Sequence, residues 1–407
     1  MSDVTAKMPK QLAILGAVPA FTDPLHVNQP NLGHRKEFLA RIEDMLDRRW
    51  FTNDGPYVAE FESRLAQRIG TAHCVAVSNG TTGLMLVSRA AELTGEVLVP
   101  SFTFVATAHA LSWQGLEPVF CDIDPETWNI DPAACEKAIT PETSAILGVH
   151  LFGRPCDAER LGEIARAHGL RLFFDAAHAF GCSHEGRAVG GLGDAEIFSF
   201  HSTKVLHTFE GGAIATDDDE LADRLRILRN FGFRGTDDVA AVGINAKMPE
   251  FAAAMGLSNL DAFDGMVEGN RATFDAYEAG IARVPGLRLR GYEPGEQHNW
   301  QYIVIEVVDE ELGLSRDELL QTLEAENVLA RRYFYPGCHR AEPYRSQHPS
   351  AGEDLPSTEK ALERVMVLPG GQGVAPEQAA LVCDLLAVAA EQADHLRHAI
   401  AKRYPPR

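Results

Sequence analysis

Few cysteines and an excess of acidic residues limit what this 407-residue chain can be. Its seven cysteines are dispersed and show no CxxC spacing. This argues against a disulfide framework or a zinc site and indicates reduced thiols, several of them in the core. Lys and Arg number 37 against 58 Asp and Glu, a formal net charge of −21. Because clustered basic side chains bind nucleic-acid phosphates, we expect no nucleic-acid partner. From the cysteine spacing we also expect no metal.

Long apolar runs are also missing from the sequence. No run approaches the roughly 20 residues that span a bilayer. The first residues, Met1 to Val4, are not a basic region followed by an apolar stretch. We therefore expect a cytoplasmic protein with no membrane partner. A small anionic ligand is still compatible with the acidic composition, because it needs only a helix N-terminus or one or two basic side chains.

Short apolar segments alternate with helix-like segments between Arg64 and Thr216. Nearly continuous apolar strands between helices predict an α/β domain with a mostly parallel sheet. The predicted strands are residues 75–77, 97–99, 119–121, 145–149, 172–174, 197–198 and 213–215, and predicted helices include 83–91 and 158–168.

The pattern changes after about residue 265. It predicts a strand at 302–307, a helix near 316–326, a strand at 328–333 and a long Ala- and Leu-rich helix from Pro376. We therefore expect two domains. The large domain covers residues 1–264, N-terminal segment included, and a small α+β domain covers residues 265–407.

The first turn with chemical potential is Ser-Asn-Gly-Thr-Thr-Gly-Leu at residues 78–84, between a predicted strand and an amphipathic helix. Gly80 lets the backbone approach a ligand, Thr81 and Thr82 add hydroxyl donors, and the helix N-terminus offers free N–H groups. The turn fits a phosphate. Taken alone, it is more often an ordinary capped turn.

An acidic residue, Asp175, directly follows the apolar strand 172–174. This places it at the carboxyl edge of the predicted sheet, where open α/β sheets bind ligands. Such a carboxylate often only caps the next helix. Its functional interpretation is a partner for a cationic ring nitrogen, which pyridoxal phosphate (PLP) needs to act as an electron sink.

A lysine, Lys204, lies in a turn rich in Ser, Thr and Gly between two predicted strands. A desolvated lysine amine with a lowered pKa suits Schiff-base chemistry, although most lysines are surface charges. The phosphate turn, Asp175 and Lys204 follow one another in the order anchor, pyridinium partner and Schiff-base lysine. Each feature alone is weak, and together they predict a PLP enzyme.

The stretch 198–212, Phe-Ser-Phe-His-Ser-Thr-Lys-Val-Leu-His-Thr-Phe-Glu-Gly-Gly, resembles the DegT/DnrJ/EryC1/StrS sugar aminotransferases. The resemblance covers nearly the whole chain. It implies the PLP-dependent transferase fold type I, which is that of aspartate aminotransferase, with a large mostly parallel-sheet domain and a small α+β C-terminal domain. Further stretches that are similar to the family are 51–56, 148–151, 153–156, 245–248 and 333–339.

The resemblance assigns three residues to the chemistry, carried over position by position. It implies that Lys204 forms the Schiff base and moves the proton, and that Asp175 pairs with the pyridine nitrogen. It places His178 near the ring oxygen, where the family has Gln or His. A lysine at 204 also implies transamination, since the dehydratase branch of the family has a histidine there, which forms no stable Schiff base.

The resemblance also assigns the residues that hold the cofactor. It implies that Ser199 holds the phosphate together with Gly80, Thr81 and Thr82, and that Phe104 stacks on the ring. Asn245 is expected to reach the phosphate from the neighbouring subunit, which implies a homodimer with shared active sites.

The nucleotide diphosphate of a sugar substrate needs positive groups, and the candidates are Lys247, Arg331 and Arg332. A solvated surface charge is an equally good interpretation of each. The sequence departs from the family in two motifs. Residues 79–83 are Asn-Gly-Thr-Thr-Gly where Ser-Gly-Thr-x-Ala is common, and 243–248 are Gly-Ile-Asn-Ala-Lys-Met where Gly-Tyr-Asn-Tyr-Arg-Met is common.

The implied reaction converts dTDP-4-keto-6-deoxy-D-glucose to dTDP-4-amino-4,6-dideoxy-D-glucose, with L-glutamate as the amino donor. This is a step of deoxyaminosugar and antibiotic biosynthesis. One alternative is amination of a 3-keto sugar or a keto-cyclitol, which no residue distinguishes. The other is a catalytically idle regulatory homologue, whose mark would be the loss of Lys204, Asp175 or the phosphate turn.

Overall fold

Strands and helices alternate along residues 11–403, which are the residues that the computed structural model describes. The start of the chain, Met1 to Val4, lies outside the described residues. The strands are β1 (Leu25–His26), β2 (His73–Val77), β3 (Glu96–Pro100), β4 (Glu117–Cys121), β5 (Thr143–Val149), β6 (Arg171–Asp175), β7 (Ser183–His184), β8 (Arg187–Ala188), β9 (Ala195–Ser199), β10 (Gly212–Thr216), β11 (Leu287–Leu289), β12 (Ile303–Val307), β13 (Val328–Leu329) and β14 (Val365–Leu368).

The helices of the same part of the chain cover both faces of the sheet and much of the C-terminal region. They are α1 (Arg35–Arg48), α2 (Pro56–Ile69), α3 (Gly80–Ala90), α4 (Ala106–Ser112), α5 (Pro132–Ala138), α6 (Ala158–His168), α7 (Asp219–Arg229), α8 (Glu250–Asp261), α9 (Phe263–Ile281), α10 (Asp309–Leu312), α11 (Arg316–Ala325), α12 (Tyr344–Gln347), α13 (Pro356–Arg364), α14 (Pro376–Glu391) and α15 (Ala393–Arg403).

All seven predicted strands of the first half join one sheet, in the order β2-β10-β9-β6-β5-β3-β4. The pairs from β9 through β6, β5 and β3 to β4 are parallel, and β10 is antiparallel to both of its neighbours. The prediction of an α/β fold with a mostly parallel sheet is confirmed. The carboxyl ends of β2, β3, β6 and β9 therefore meet at one edge.

The strands are almost continuously apolar because both faces of the sheet are covered. Alternate residues of one strand enter two different cores, as with Phe173 and Phe174 of β6. Parallel sheets buried on both faces have this pattern. The connecting helices are well delimited: α6 begins after Asp157, whose side chain accepts from the Arg160 N–H, and ends at Gly169 in the left-handed region.

The C-terminal part of the chain forms a separate antiparallel sheet, in the order β11-β12-β14. It shares a hydrophobic core with α9, α11 and α14, and that core also contains Leu12, Phe21 and Leu25 of the N-terminal segment. β1 pairs in parallel with β13. The division into domains at residues 264 and 265 stays a prediction, and α9 runs across that point.

One expectation on the C-terminal part was wrong. The strand predicted at 328–333 ends at Leu329, because the chain then makes only an isolated bridge between Arg331 and Val367 and turns at 332–335. The long Ala- and Leu-rich helix predicted from Pro376 is confirmed as α14, and a second helix, α15, follows it after Gln392.

The seven cysteines are all free and all buried, in agreement with the expectation of reduced thiols. Within residues 11–403, every helix is too short or too polar to cross a membrane.

Candidate active site

The residues assigned by the sequence analysis gather at one edge of the main sheet. Asp175 is the last residue of β6, Ser199 is the last residue of β9, and Gly80 begins α3 just after β2. Lys204 lies in the turn after β9. Because parallel strands end at the same edge, one sheet carries all these groups toward a common space.

Lys204 is directed toward the space between its own turn and the start of β12. Its Nζ donates a hydrogen bond to the Tyr302 hydroxyl at 3.2 Å. Removal from water lowers the pKa of Lys204 to about 8, and the nearby Asp175 carboxylate acts in the opposite direction. About a tenth of this amine is therefore neutral at pH 7, far more than in an ordinary lysine, and the neutral form is the one that acts as a nucleophile.

Asp175 is a buried carboxylate with short hydrogen bonds. Its Oδ2 accepts from the Thr107 hydroxyl at 2.9 Å, and its Oδ1 accepts from the Ala177 N–H at 3.1 Å. Burial raises its pKa, while those two donors and the charges of Lys204 and His150 act to lower it. A cation placed against this carboxylate would favour its charged form.

His178 is a neutral imidazole in a stack of rings. Burial, and then the charge of Lys204, lowers its pKa well below the usual value. Its Nδ1 accepts from the Phe152 N–H at 3.2 Å, so its single proton lies on Nε2. The ring is nearly parallel to those of Phe152 and Phe334 and lies 4.5 Å from the Tyr302 ring, centroid to centroid.

The turn at the start of α3 is packed tightly enough to require glycine. A Cβ on Gly80 would lie 3.0 Å from the Ser199 Cβ, and one on Gly212 would lie 2.8 Å from the Gly80 nitrogen. Asn79 caps the helix by accepting from the Thr82 N–H at 2.8 Å and from the Thr82 hydroxyl. The N–H groups of Gly80 and Thr81 lie in the first turn of the helix, where no preceding turn supplies a carbonyl to accept their hydrogen bonds.

Phe104 lies on the open side of the site. Its ring is 60% exposed, which is unusual for a phenylalanine that follows a buried strand. It lines a cleft of about 600 Å³ together with Arg331, Arg332, Tyr333 and Tyr335. An exposed aromatic face in a cleft is suited to stacking against a planar ligand.

The two arginines of this cleft differ in their surroundings. Arg332 lies 3.3 Å from Asp317 and 4.4 Å from the centre of the Tyr335 ring. Arg331 is exposed, and its backbone bridges to Val367. Both are therefore placed to meet an anion that enters the cleft.

A buried histidine joins the two sides of the cleft. His339 Nδ1 lies 2.7 Å from Ser101 Oγ, and the His339 N–H donates to the same oxygen at 3.0 Å. His339 Nε2 lies 2.7 Å from Glu359. The turn that carries Phe104 is thereby connected to the segment that follows Tyr335.

Asn245 and Lys247 flank the buried Ala246, whose carbonyl accepts from the Ser78 N–H at 2.8 Å, so their segment runs beside the end of β2 and the start of the phosphate turn. The Asn245 Oδ1 accepts from Lys247 Nζ at 2.8 Å, and Lys247 also donates to Asn230 at 2.9 Å. Lys247 Nζ is 4.6 Å from the centre of the Phe231 ring. Their assigned roles toward a neighbouring subunit stay predictions.

Sequence reasoning missed Tyr302, Gln301 and Thr107. Thr107 lies in the stretch Thr-Phe-Val-Ala-Thr that contains Phe104 and so could have been noticed. Tyr302 looked like the first residue of an apolar strand, and Gln301 had no visible signal. All three act through contacts with residues far away in the chain.

These side chains fit PLP by their chemistry. A partly neutral lysine amine suits the aldehyde, a buried carboxylate suits the cationic ring nitrogen, and a glycine-containing helix start suits the phosphate. The close approach of Gly80 to Ser199 is the observation that tests the fit, because a Cβ at position 80 would lie 3.0 Å from the Ser199 Cβ and would crowd the space between the helix start and that side chain. The Phe104 face and the two arginines leave room for a second, anionic molecule.

Comparison with known proteins gives a consistent result. The family model described as DegT/DnrJ/EryC1/StrS aminotransferase family matches residues 33–387. A dTDP-4-amino-4,6-dideoxy-D-glucose transaminase of Shigella dysenteriae is 38% identical over 348 residues, which are 85% of this chain and 94% of that protein. The Escherichia coli enzyme of the same name is 36% identical over 346 residues, 84% of this chain and 92% of that protein.

A solved structure is also similar over almost the full length. The crystal structure of DesI in the presence of its TDP-sugar product has a TM-score of 0.90 and 48% sequence identity. It covers 95% of this chain and 98% of its own. The fold, predicted as the PLP-dependent transferase fold, is therefore confirmed, and so is the family resemblance.

Proposed function

The chain belongs to the DegT/DnrJ/EryC1/StrS aminotransferase family, and we propose that it transfers the amino group of L-glutamate to the C4 ketone of dTDP-4-keto-6-deoxy-D-glucose. The product is dTDP-4-amino-4,6-dideoxy-D-glucose. The aminotransferases of this family are PLP-dependent, and PLP is the cofactor of this chain.

One observation carries the chemical part of the proposal. The partly neutral amine of Lys204 and the buried carboxylate of Asp175 share the carboxyl edge of the sheet with the Gly80 turn. A catalytically idle homologue would have no need of this combination. The choice of C4 is supported by the names of the two relatives at 38% and 36% identity.

PLP, when bound, supplies an electron sink that stabilises negative charge at the carbon of the reacting amine. The residues of the chain do the rest. Asp175 holds the ring nitrogen in its charged form. Lys204 would accept the proton that leaves the α-carbon of the amino donor and would later give up a proton in turn. Its pKa of about 8 allows both steps near neutral pH.

Other residues bind and orient. The neutral His178 would donate a hydrogen bond from its Nε2–H to the ring oxygen. The N–H groups of Gly80 and Thr81, with the Thr81, Thr82 and Ser199 hydroxyls, hold the phosphate. Because a hydroxyl has a single proton, Thr82 must give up its bond to Asn79 if its hydroxyl is to donate to the phosphate.

Recognition of the substrate falls to the cleft. Arg331 and Arg332 bind the diphosphate, and Phe104 covers the face of the cofactor ring. Asp317 orients Arg332 from behind and reduces its net charge only in part, because an exposed ion pair is weak.

The proposal includes a homodimer with shared active sites. A patch of aromatic side chains, Phe209, Phe251 and the half-buried Phe38, runs from the Lys204 turn across α1 and α8. Phe209 is 39% exposed, lies 5.8 Å from Phe38 and 6.2 Å from Phe251, and Phe251 is 44% exposed. Patches of this kind mark subunit contacts. Asn245 and Lys247 lie on another exposed segment, from which they would enter the partner's site.

Mixing two inactive variants tests the shared site. Lys204→Ala lacks the amine, and Asn245→Asp puts a carboxylate where a phosphate is expected. Mixed dimers contain one intact site, so the exchanged mixture should recover about a quarter of wild-type activity from statistical pairing. Mixing Lys204→Ala with Asp175→Asn is the control and should recover nothing, because both changes lie in the same chain's half of the site. Equal recovery of activity in the two mixtures would mean that Asn245 does not contribute to the active site of the neighbouring subunit.

A cytoplasmic location is part of the proposal and is supported by seven free, buried thiols. A role in antibiotic biosynthesis stays a prediction of the family resemblance.

A substrate panel tests the reaction itself. Purified protein, PLP and L-glutamate are incubated with the 4-keto and the 3-keto nucleotide sugar, and the aminated products are separated by mass spectrometry. We expect the 4-keto compound to be aminated at least about tenfold faster. Preferred amination of the 3-keto sugar would replace the substrate and leave the enzyme class unchanged. No amination of either, together with no visible absorption after PLP addition, would favour the idle homologue.

A further inference from the structure

The segment 299–302, immediately before β12, contacts both of the turns that carry the chemistry. Asn299 Nδ2 donates to the His178 carbonyl at 2.8 Å and to the Phe180 carbonyl at 3.1 Å. Its Oδ1 accepts from the Gln301 N–H at 3.2 Å. One short segment of the C-terminal half is thereby fixed to the large sheet beside the lysine.

Gln301 holds the backbone on both sides of Lys204. Its side-chain amide nitrogen donates to the Thr203 carbonyl, and its Oε1 accepts from the Val205 N–H at 3.3 Å. Gln301 is 4% exposed, so both bonds are protected from competition with water. The lysine turn is therefore restrained at the residue before and at the residue after the lysine.

Tyr302 holds the other end of the same side chain. Its hydroxyl lies 3.2 Å from Lys204 Nζ, and the residue is 1% exposed. Burial raises the pKa of Tyr302 well above its usual value, so it remains a phenol. A phenol both accepts and donates hydrogen bonds. It can accept from the charged amine of Lys204 and donate to the neutral one, whereas the carboxylate of Asp175 can only accept.

We propose that Tyr302 and Gln301 are positioning residues for Lys204: Gln301 fixes the turn, and the Tyr302 hydroxyl keeps the amine in one place in both of its protonation states. The inference rests on the proposed function, because only a lysine that takes up and returns a proton needs a partner that serves both states. The titratable neighbours are Asp175 and His178 around Lys204, and Tyr292, Tyr333 and Asp175 around Tyr302.

The main variant is Tyr302→Phe, which removes one oxygen and keeps the ring packed against His178. The matched control is Tyr292→Phe. Tyr292 is a neighbouring half-buried tyrosine whose hydroxyl donates to the carbonyls of Phe152 and Tyr302 and makes no contact with Lys204 in the described structure. Gln301→Leu is the second variant and leaves the Tyr302 hydroxyl in place.

Three measurements separate positioning from packing. The first is the rate at which the apo-protein binds added PLP covalently, followed across pH. The second is the single-turnover rate with L-glutamate, and the third is the isotope effect with α-deuterated L-glutamate. A purely structural role would change the melting temperature and leave the isotope effect as in the wild type.

We expect Tyr302→Phe to lower the single-turnover rate about tenfold, the value of one buried hydrogen bond to a charged or reacting group. The KM for glutamate should change less than about twofold and the isotope effect should increase, because proton transfer becomes slower than the other steps. The apo-protein should also bind PLP covalently more slowly at every pH. Gln301→Leu should lower the single-turnover rate about threefold, and Tyr292→Phe should behave like the wild type.

A wild-type rate and isotope effect in Tyr302→Phe would overturn the inference, and so would a lower melting temperature as the only change. If Tyr302→Phe does not fold, Gln301→Leu decides, and a wild-type rate in it would equally overturn the proposal. Failure of the wild-type protein itself to bind PLP covalently would instead overturn the proposed function.

Discussion

Two walls of the active site differ in almost every physical respect. The cofactor wall, Lys204, Asp175 and His178, is largely buried, and each side chain has a hydrogen-bond partner at a fixed distance. The substrate wall, Phe104, Arg331, Arg332 and Tyr335, lines the open cleft. Phe104 is 60% and Tyr335 is 48% exposed.

On the proposed function, the difference predicts which part of the reaction each wall controls. Burial shifts the pKa of all three residues of the cofactor wall, and such shifts require exclusion of water. The substrate wall keeps its charges in water, where they can attract and release an anion. Changes to the first wall should therefore act mainly on kcat, and changes to the second mainly on KM.

The largest expected effect is that of Lys204→Ala. Turnover should fall at least about 10³-fold, because the group that forms the covalent link and moves the proton is gone. The visible absorption of PLP-loaded protein should be lost as well. Both are measured by absorbance and by mass spectrometry of the aminated sugar. Lys137→Ala, which removes an exposed lysine of α5, is the control. Substantial transamination by Lys204→Ala would break the distinction between the walls.

Asp175→Asn should be the next most damaging change. The neutral amide keeps the size of the side chain and loses the charge that holds the ring nitrogen protonated, so kcat should fall roughly 10²-fold. The carboxylate also raises the pKa of Lys204. Its removal should shift the pH midpoint for covalent PLP binding by the apo-protein downward from about 8.

Asp157→Asn is the control for Asp175→Asn, since asparagine also caps a helix and the position is remote from the cleft. An unchanged kcat with a large rise in the KM for the nucleotide sugar would mean that Asp175 belongs to the substrate wall.

The places of Asp175 and Lys204 at the sheet edge were predictable from sequence, and the reason is local. Asp175 ends an apolar strand and Lys204 lies in a polar turn, so both the residue type and its place at the sheet edge are visible in a few residues. The strands themselves were predictable because a sheet covered on both faces leaves nearly continuous apolar runs.

The contacts between that wall and its partners were not predictable. Tyr302 is separated by 98 positions from the lysine that it contacts, and Thr107 by 68 positions from Asp175. Thr107 lies in the same stretch as Phe104 and could have been noticed, but nothing in the local pattern distinguishes Tyr302 from other polar residues beside apolar segments. The substrate wall was visible only in part, because Arg331 and Arg332 look like ordinary surface charges until the cleft is seen.

Neutralising the substrate wall gives the third expected effect. In the double variant Arg331→Ala and Arg332→Ala, the KM for the nucleotide sugar should rise about tenfold, since a charge-assisted bond to a phosphate is lost. The kcat should change less than about twofold. Steady-state kinetics with the 4-keto sugar measure both.

A double variant with the same change of charge is the control for the arginine pair. Arg288→Ala and Arg397→Ala remove two exposed arginines that pair with Glu311 and Asp394. If the KM rises equally in the two double variants, the effect reflects net charge, and Arg331 and Arg332 do not bind the diphosphate.

The smallest expected effect concerns Thr107, one step behind the cofactor wall. Its hydroxyl donates to Asp175 Oδ2 at 2.9 Å and helps to lower the pKa of that carboxyl. In Thr107→Val the donor is gone and the shape is kept, so the pKa of Asp175 rises. Its carboxylate then takes up a proton at a higher pH than in the wild type, and PLP affinity should fall about fivefold, first at the acidic end of the range.

Thr103→Val is the matched control for this last change. The Thr103 hydroxyl lies 3.0 Å from the Thr107 hydroxyl, so it acts on Asp175 only through Thr107, and PLP affinity should change less than about twofold. Fluorescence titration of apo-protein with PLP across pH measures both variants. An equal loss in the two would mean that packing of the α4 start, and no charge effect at Asp175, limits affinity. A change in the KM of the nucleotide sugar would show that the two walls are coupled through α4.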